Sequence, residues 1–393
     1  MPISYPNGVQ YSGIWTLQQA HDAIAASNWP VGSPQYLYGW GNGSSGQLGL
    51  NGTNSRSAPT QVGTSANWKQ VSIASLFNFG NSFGLKTDGT LWAWGRNPYG
   101  QLGLGNTTYY SSPKQVGSLS NWASIYAADV FTFGVKTDGT AWSWGYSTYG
   151  SLGLGDDTAI NRSSPVQIGA LTNWRSIKGG NQNSLGLKTD GTMWAWGRND
   201  LGQLGLGNTT NYSSPVQIGS STDWSQISCG YAINAAIKTN GTLWTWGNGS
   251  AGSLGHGNTT YYSSPKQVGS LTNWAYVSSN ANDPFCLAVK TDGTLWAWGK
   301  NTNGQLGLGN TTNIQSPVQV GALTNWSLAV GGSNNFSAAL KTDGTLWTWG
   351  ANNYGQLGTG NTTSTSSPTQ IGLTTSWLDV AAGYQGVLAV SRT

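Results

Sequence analysis

Two histidines, two cysteines and thirteen acidic residues, every one of them Asp, are the side chains of this 393-residue chain to which acid–base, nucleophilic or metal chemistry would first be assigned. His21 and His256 occupy unrelated contexts, so no Ser-His-Asp set assembles from matched positions. Cys229 and Cys286 show neither the paired spacing of a zinc site nor the pattern of a disulfide framework. Asp156-Asp157 is the one local acidic pair; it could meet a cation, and a solvated loop is the plainer reading. The recurrent Asp-Gly pairs, as at Asp88-Gly89, are turn formers. The GLGLG stretches lack the helix and the Lys-Ser/Thr that would make a phosphate loop. The N-T-T triplets match a glycosylation acceptor and also suit turns. The expectation is therefore a protein that is no enzyme, with no metal and no cofactor.

What must be positioned instead is a repeat. Lys86 to Asn106 reads KTDGTLWAWGRNPYGQLGLGN, and its second Trp with the following Gly recurs at Trp144, Trp196, Trp246, Trp298 and Trp349, with a variant at Trp40. These seven copies are 50 to 54 residues apart, a period typical of propellers and solenoids. Each carries four strand signals. In the copy after Pro113 they are Trp122 to Ala127, Phe131 to Lys136, Ala141 to Trp144, and Val166 to Ile168 behind an edge-strand proline at Pro165. Asp138-Gly139 closes the hairpin between the second and third. Trp142 and Trp144, two apart, share one face of a strand. The tryptophans of the repeats are read as core.

The ends of the chain decide between a line and a circle. The first copy starts in its third strand, near Leu37, and the last stops in its second, Val387 to Thr393. An open solenoid would leave raw edges. A ring joins the halves into a seventh blade, two strands from each terminus. The fold class is thus all-β, a seven-bladed propeller over 36–393. Residues 1–35 form a separate leader whose Thr16 to Ala26 reads as a short helix with capping-box spacing, stopped by Pro30. Trp15, Leu17, Ile24 and Trp29 either pack this helix onto the propeller or anchor the domain to neighbouring subunits.

Charged residues make up only 8% of the chain, so its surface is neutral and rich in Ser, Thr, Asn and Tyr. The net charge of +4 includes one Lys per repeat, spread around the ring, which argues against a nucleic-acid stripe. No secretory signal and no membrane-spanning apolar run occur.

The pattern LWAWGRNPYGQLGLGN at Leu91 to Asn106, followed by a proline, Gln-Val-Gly and LKTDGT, resembles the regulator of chromosome condensation repeat family. The resemblance covers about nine-tenths of the chain and implies a seven-bladed propeller closed by strands of both termini. It leaves function open, since that family includes a nucleotide exchange factor, ubiquitin ligase modules and a secreted β-lactamase inhibitor. Where the family commonly carries His in the second strand, this chain has Asn81, Phe131, Asn183, Ile233, Phe285, Phe336 and Gly386, which speaks against the exchange-factor role. The leader is similar to segments of bacteriophage virion and tail proteins.

Strand alternation puts the loops between strands one and two, and three and four, on one face, and the Asp-Gly hairpins on the other. The hairpin face is nearly invariant among copies; the opposite face varies. Candidate partner-binding residues are therefore Phe79, Asp129, Asn181, Tyr231, Asp283, Asn335 and Tyr384, ringed by Tyr99, Tyr149, Tyr212 and Tyr262. Tyr and Asn combine contact area with adaptable hydrogen bonding. The leading expectation is a non-enzymatic adhesion propeller of a virion, such as a tail fiber or capsid-attached component. It would act extracellularly, recognise a host surface protein or glycan, and attach to neighbouring subunits through the leader. The alternatives are an intracellular, cytoplasmic regulator of the guanine nucleotide exchange or protein-interaction type, and a purely structural decoration protein. A homo-oligomer is left open.

Overall fold

The computed structural model describes residues 33–74, 80–156, 160–280 and 283–392. The leader helix with Trp15, Leu17, Ile24 and Trp29 lies outside the described residues, as do Phe79 and Asp157. Among the described residues 28 strands form seven four-stranded sheets, each an antiparallel meander. Blades are numbered here by their first strands, which open at Trp68, Trp122, Trp174, Trp224, Trp274, Trp326 and Trp377. Blade 7 takes its first two strands from the C-terminal end (Trp377–Ala382, Gly386–Arg392) and its last two from the N-terminal end (Gln35–Gly41, Arg56–Gln61). The seam is an unbroken ladder from Gln35 opposite Arg392 to Gly41 opposite Gly386. The expected ring closure is therefore present.

One strand differs from the sequence reading. In blade 2 the fourth strand runs Arg162–Gln167, four residues earlier than expected, with Pro165 inside it. Arg162 pairs with Gly145 and Val166 with Ser143, with an irregularity between them, and the proline falls in that break on the outermost edge, where no ladder bond is lost.

The invariant residues hold neighbouring blades together. The second Trp of each third strand is fully buried, and its indole nitrogen reaches into the preceding blade. Trp94 Nε1 donates to Gln47 O at 2.9 Å, Trp246 to Gln203 O at 2.9 Å, and Trp349 to Gln305 O at 2.8 Å. Trp40 makes the same bond to Gln356 O at 3.0 Å, across the seam. Each such aromatic buries roughly 150–250 Å², worth at most about 4–6 kcal/mol. The glycine of the Leu-Gly pair lies against this indole. At Gly205, with φ +73°, a Cβ would sit 2.7 Å from Trp246 Nε1, so side chains are excluded by space and by backbone conformation.

The K-T-D-G-T-x-W segment is a second structural unit. In blade 2, Trp142 Nε1 donates to Thr140 Oγ1 at 2.9 Å, and Thr140 Oγ1 and N both donate to Asp138 Oδ1, at 2.7 and 2.9 Å. Lys136 lies between two indoles, with Nζ 3.6 Å from the centroid of Trp142 and 5.1 Å from that of Trp122. The same sandwich repeats at Lys86, Lys188, Lys238, Lys290 and Lys341. The ring of lysines is thus folded among tryptophans as cation–π packing, and Lys136, Lys188, Lys290 and Lys341 are buried.

The first strands are the inner edges of the blades and carry backbone groups with no strand partner. Side chains of the preceding blade meet some of them. Gln70 grips Ile125 through both its amide atoms (Nε2 to Ile125 O 3.1 Å, Ile125 N to Oε1 3.2 Å), and Gln226 does the same to Val277. Asp379 Oδ2 accepts from Val71 N at 2.9 Å across the junction of blades 7 and 1.

Candidate partner-binding face

The loops between strands one and two meet the three-to-four loops of neighbouring blades, as Gln305 Nε2 on Asn335 Oδ1 at 2.8 Å illustrates. On this face the predicted residues separate by burial. Asp129 and Asp283 are buried and offer no carboxylate to a partner. Burial pushes the Asp129 carboxyl well above the usual range, only partly countered by a hydrogen bond from Asn181. Asp283 is engaged internally: Oδ1 pairs with Lys300 Nζ at 2.7 Å, and Oδ2 accepts from Asn334 N and Asn335 N, both at 3.0 Å. It thereby supports two consecutive residues with φ of +82° and +63°.

The tyrosines also divide. Tyr212 and Tyr262 are not loop residues: each begins a fourth strand, half-buried, opposite Gly197 and Gly247. Tyr262 OH accepts from Lys266 Nζ at 2.8 Å. Tyr99 is half-buried and stacks on Tyr146 of the next blade at 4.5 Å. Tyr384 is half-buried, and its hydroxyl is raised by burial, with Tyr354 and Asp283 adding to the shift. Asn181 and Asn335 are half-buried.

Tyr149 and Tyr231 remain exposed, at 50% and 40%. They stand on blades 2 and 4, and between them Arg198 of blade 3 lies with its guanidinium 5.4 Å from the Tyr149 ring. Asp200 holds Arg198 in a two-pronged pair, Nε to Oδ1 at 2.9 Å and Nη2 to Oδ2 at 2.6 Å. Tyr149 has a φ of +53°, a left-handed conformation that costs a non-glycine residue on the order of 1 kcal/mol. Arg198 was missed by the sequence reading, although a signal was present. The position after Trp-Gly holds Asn42, Arg96, Tyr146, Arg198, Asn248, Lys300 and Ala351, as varied as any loop.

Elsewhere chemistry is sparse. His256 fills a position occupied by Leu in five copies; its Nε2 lies 3.1 Å from Thr245 Oγ1 and its ring meets Tyr262 edge-on. Asp156 pairs with Arg162 at 2.6 Å. Both cysteines are free and buried. Among the described residues no group of three or more His, Cys, Asp or Glu side chains comes together. The residues at the position of the expected family histidine are also internal: Asn81, Phe131, Asn183, Phe285 and Phe336 are fully inaccessible.

A closed ring of seven four-stranded antiparallel blades, with a scaffold repeated almost unchanged and one face that varies among the copies, defines a seven-bladed β-propeller. The chain belongs to the regulator of chromosome condensation (RCC1) repeat family: an RCC1-like domain matches residues 37–283, and the RCC1 repeat itself matches 292–340 and 343–390. Among relatives, the E3 ubiquitin-protein ligase HERC2 of Mus musculus is 32% identical over 84% of this chain, and Protein RCC2 of the same species is 39% identical over 22% of it. The chain spans 6% of the length of HERC2 and 17% of that of RCC2. Two solved structures share the fold. Human WBSCR16 has a TM-score of 0.80 at 21% identity, covering 91% of this chain and 99% of that one; Prp20p from Saccharomyces cerevisiae has 0.82 at 19%, covering 97% and 96%. These eukaryotic relatives overturn the expectation of a virion-borne, extracellular host-attachment protein of phage or bacterial origin. The resemblance of the leader to phage segments rested on a short stretch, whereas the eukaryotic match runs through the repeats.

Proposed function

We propose that the chain is the protein-binding propeller of an intracellular regulator, engaging its partner through the variable face with Tyr149, Arg198 and Tyr231 at the centre of contact. The observation that carries this reading is the patch itself. Two exposed aromatics flank an arginine already fixed by Asp200, so little side-chain freedom is lost on binding, and Tyr and Arg are the residue types that dominate interface energetics. The strained backbone of exposed Tyr149 supports it, because such strain collects at functional positions. Family membership favours a protein partner: the structure of Prp20p is described together with that protein's binding to Gsp1p and histones. The internal placement of the second-strand residues that replace the family histidine favours a protein-interaction role over nucleotide exchange.

Affinity capture from eukaryotic cytosol, comparing the wild type with a Tyr149→Ala/Tyr231→Ala variant, tests the face. The double variant should lose its specific partner by at least about tenfold with an unchanged melting temperature, since hot-spot truncations cost about 1–2 kcal/mol or more each. Equal capture by both would remove the patch from consideration. A nucleotide-release assay on captured GTPases separates the exchange reading from simple binding.

A further inference from the structure

The axial channel contains a cation that the fold leaves without a direct ion pair. Lys178 is the fifth residue of the first strand of blade 3, Trp174–Gly179, where the other blades place Ser72, Tyr126, Ser228, Ser278, Val330 and Ala381. Its ammonium lies 4.4 Å from the centroid of the Tyr126 ring of blade 2. Among the described residues it makes neither an ion pair nor a hydrogen bond. Asp379, across the channel, is near enough to favour the charge but directs its oxygens at the amides of Val71 and Val380. Protein surrounds the amine closely enough that burial lowers its pKa to about 8.

Backbone donors lie beside it. The amides of Val71, Ile125 and Val277 are taken by Asp379, Gln70 and Gln226 of the preceding blades. At the equivalent amides of Ile177 and Ile227 the preceding blades present Ser124 and Ser176, whose short side chains make no such bond. Ala329 of blade 6, facing Tyr276, has no such bond either; of these amides those of Ile177 and Ile227 fall next to Lys178 in sequence and on the following blade. An ammonium with no directly bonded counter-ion and adjacent backbone N–H groups together offer donors to an oxyanion.

We propose that the axial channel is a binding site for a small free oxyanion, a carboxylate or phosphate group, held by Lys178 together with the inner-edge amides of blades 3 and 4. The Tyr126 ring closes one side of this seat. The anion gives Lys178 a directly bonded counter-charge besides the more distant Asp379.

Calorimetric titration of the full chain with inorganic phosphate, and separately with acetate, at constant ionic strength tests the site. One saturable site is expected, weakened at least tenfold in Lys178→Met and retained in Lys178→Arg, while Lys114→Met on the outer edge has no effect. At pH 8, binding should take up about half a proton, read from titrations in buffers of different ionisation enthalpy, because the amine is half protonated when empty. Should Lys178→Met fail to fold, the wild type alone decides: phosphate or acetate should slow reductive methylation of Lys178, measured by peptide mass spectrometry, and leave Lys114 unchanged. Equal affinity in Lys178→Met, or methylation of Lys178 indifferent to both anions, would overturn the proposal.

Discussion

His256 shows how a single exchange in a repeated frame acquires a pH dependence. Burial, aided by Lys266, lowers its pKa to about 4, below the value of 6.5 for a free imidazole. The unfolded chain thus takes up this proton more readily than the folded one. Stability is full above about pH 6.5, declines as pH falls toward 4, and is flat below that. The 2.5-unit difference corresponds to about 3 kcal/mol, which solvent screening at a half-buried ring reduces to on the order of 1–2 kcal/mol. His256→Leu, restoring the residue found at Leu104 and Leu206, should flatten the urea-midpoint profile across that range; an unaltered profile would show that other groups cause the slope. At this scale the sequence was least legible. Asp129 and Tyr231 occupy equally variable loops, yet one is buried while the other is exposed. What separates them is contact with neighbouring blades, such as the bond between Asn181 and Asp129, and one repeat read alone contains no such contact.

At the scale of the element, the repeat proved readable wherever its residues answer to local rules. Asp138-Gly139 predicted its hairpin, and the two-residue spacing of Trp142 and Trp144 predicted a shared face. The relay from Trp142 through Thr140 to Asp138 shows why the whole segment is copied rather than the turn alone. The fourth strand was placed late because Pro165 was taken as its start, whereas an outer edge with a broken ladder admits proline within it. The inner edge gave no sequence signal, since its Gln, Asp and Ser residues vary between blades. Gln226→Ala should remove both bonds to Val277, at a cost of about 1–2 kcal/mol, and speed hydrogen exchange at the Val277 amide while leaving that of Ile125 unchanged. Equal protection of Val277 in both proteins would mean that water replaces the clamp.

For the whole molecule, closure depends on hydrogen bonding between Gln35–Gly41 and Gly386–Arg392 together with the Trp40 bond to Gln356. No disulfide reinforces it, as both cysteines are free. A circular permutant of the described propeller, with Arg392 linked to Gln35 by a short Gly-Ser segment and new ends opened at Asp190-Gly191, should fold to the same ring. Its melting temperature should fall by only a few degrees, because the cut exchanges one exposed hairpin for another. A collapsed or aggregated permutant would show that the seam must form from free ends. The seam was legible from the two half-blades in the sequence; the leader's role was not, and it lies outside the described residues.

The pairing of Gln35 with Arg392 also fixes how the propeller can be wired into a longer polypeptide. Both ends leave the ring side by side, on the face of the Asp-Gly hairpins and away from Tyr149, Arg198 and Tyr231. Such a disc can be spliced into a host chain as though it were a single loop: flanking segments enter and leave at one socket, and the opposite face stays turned outward.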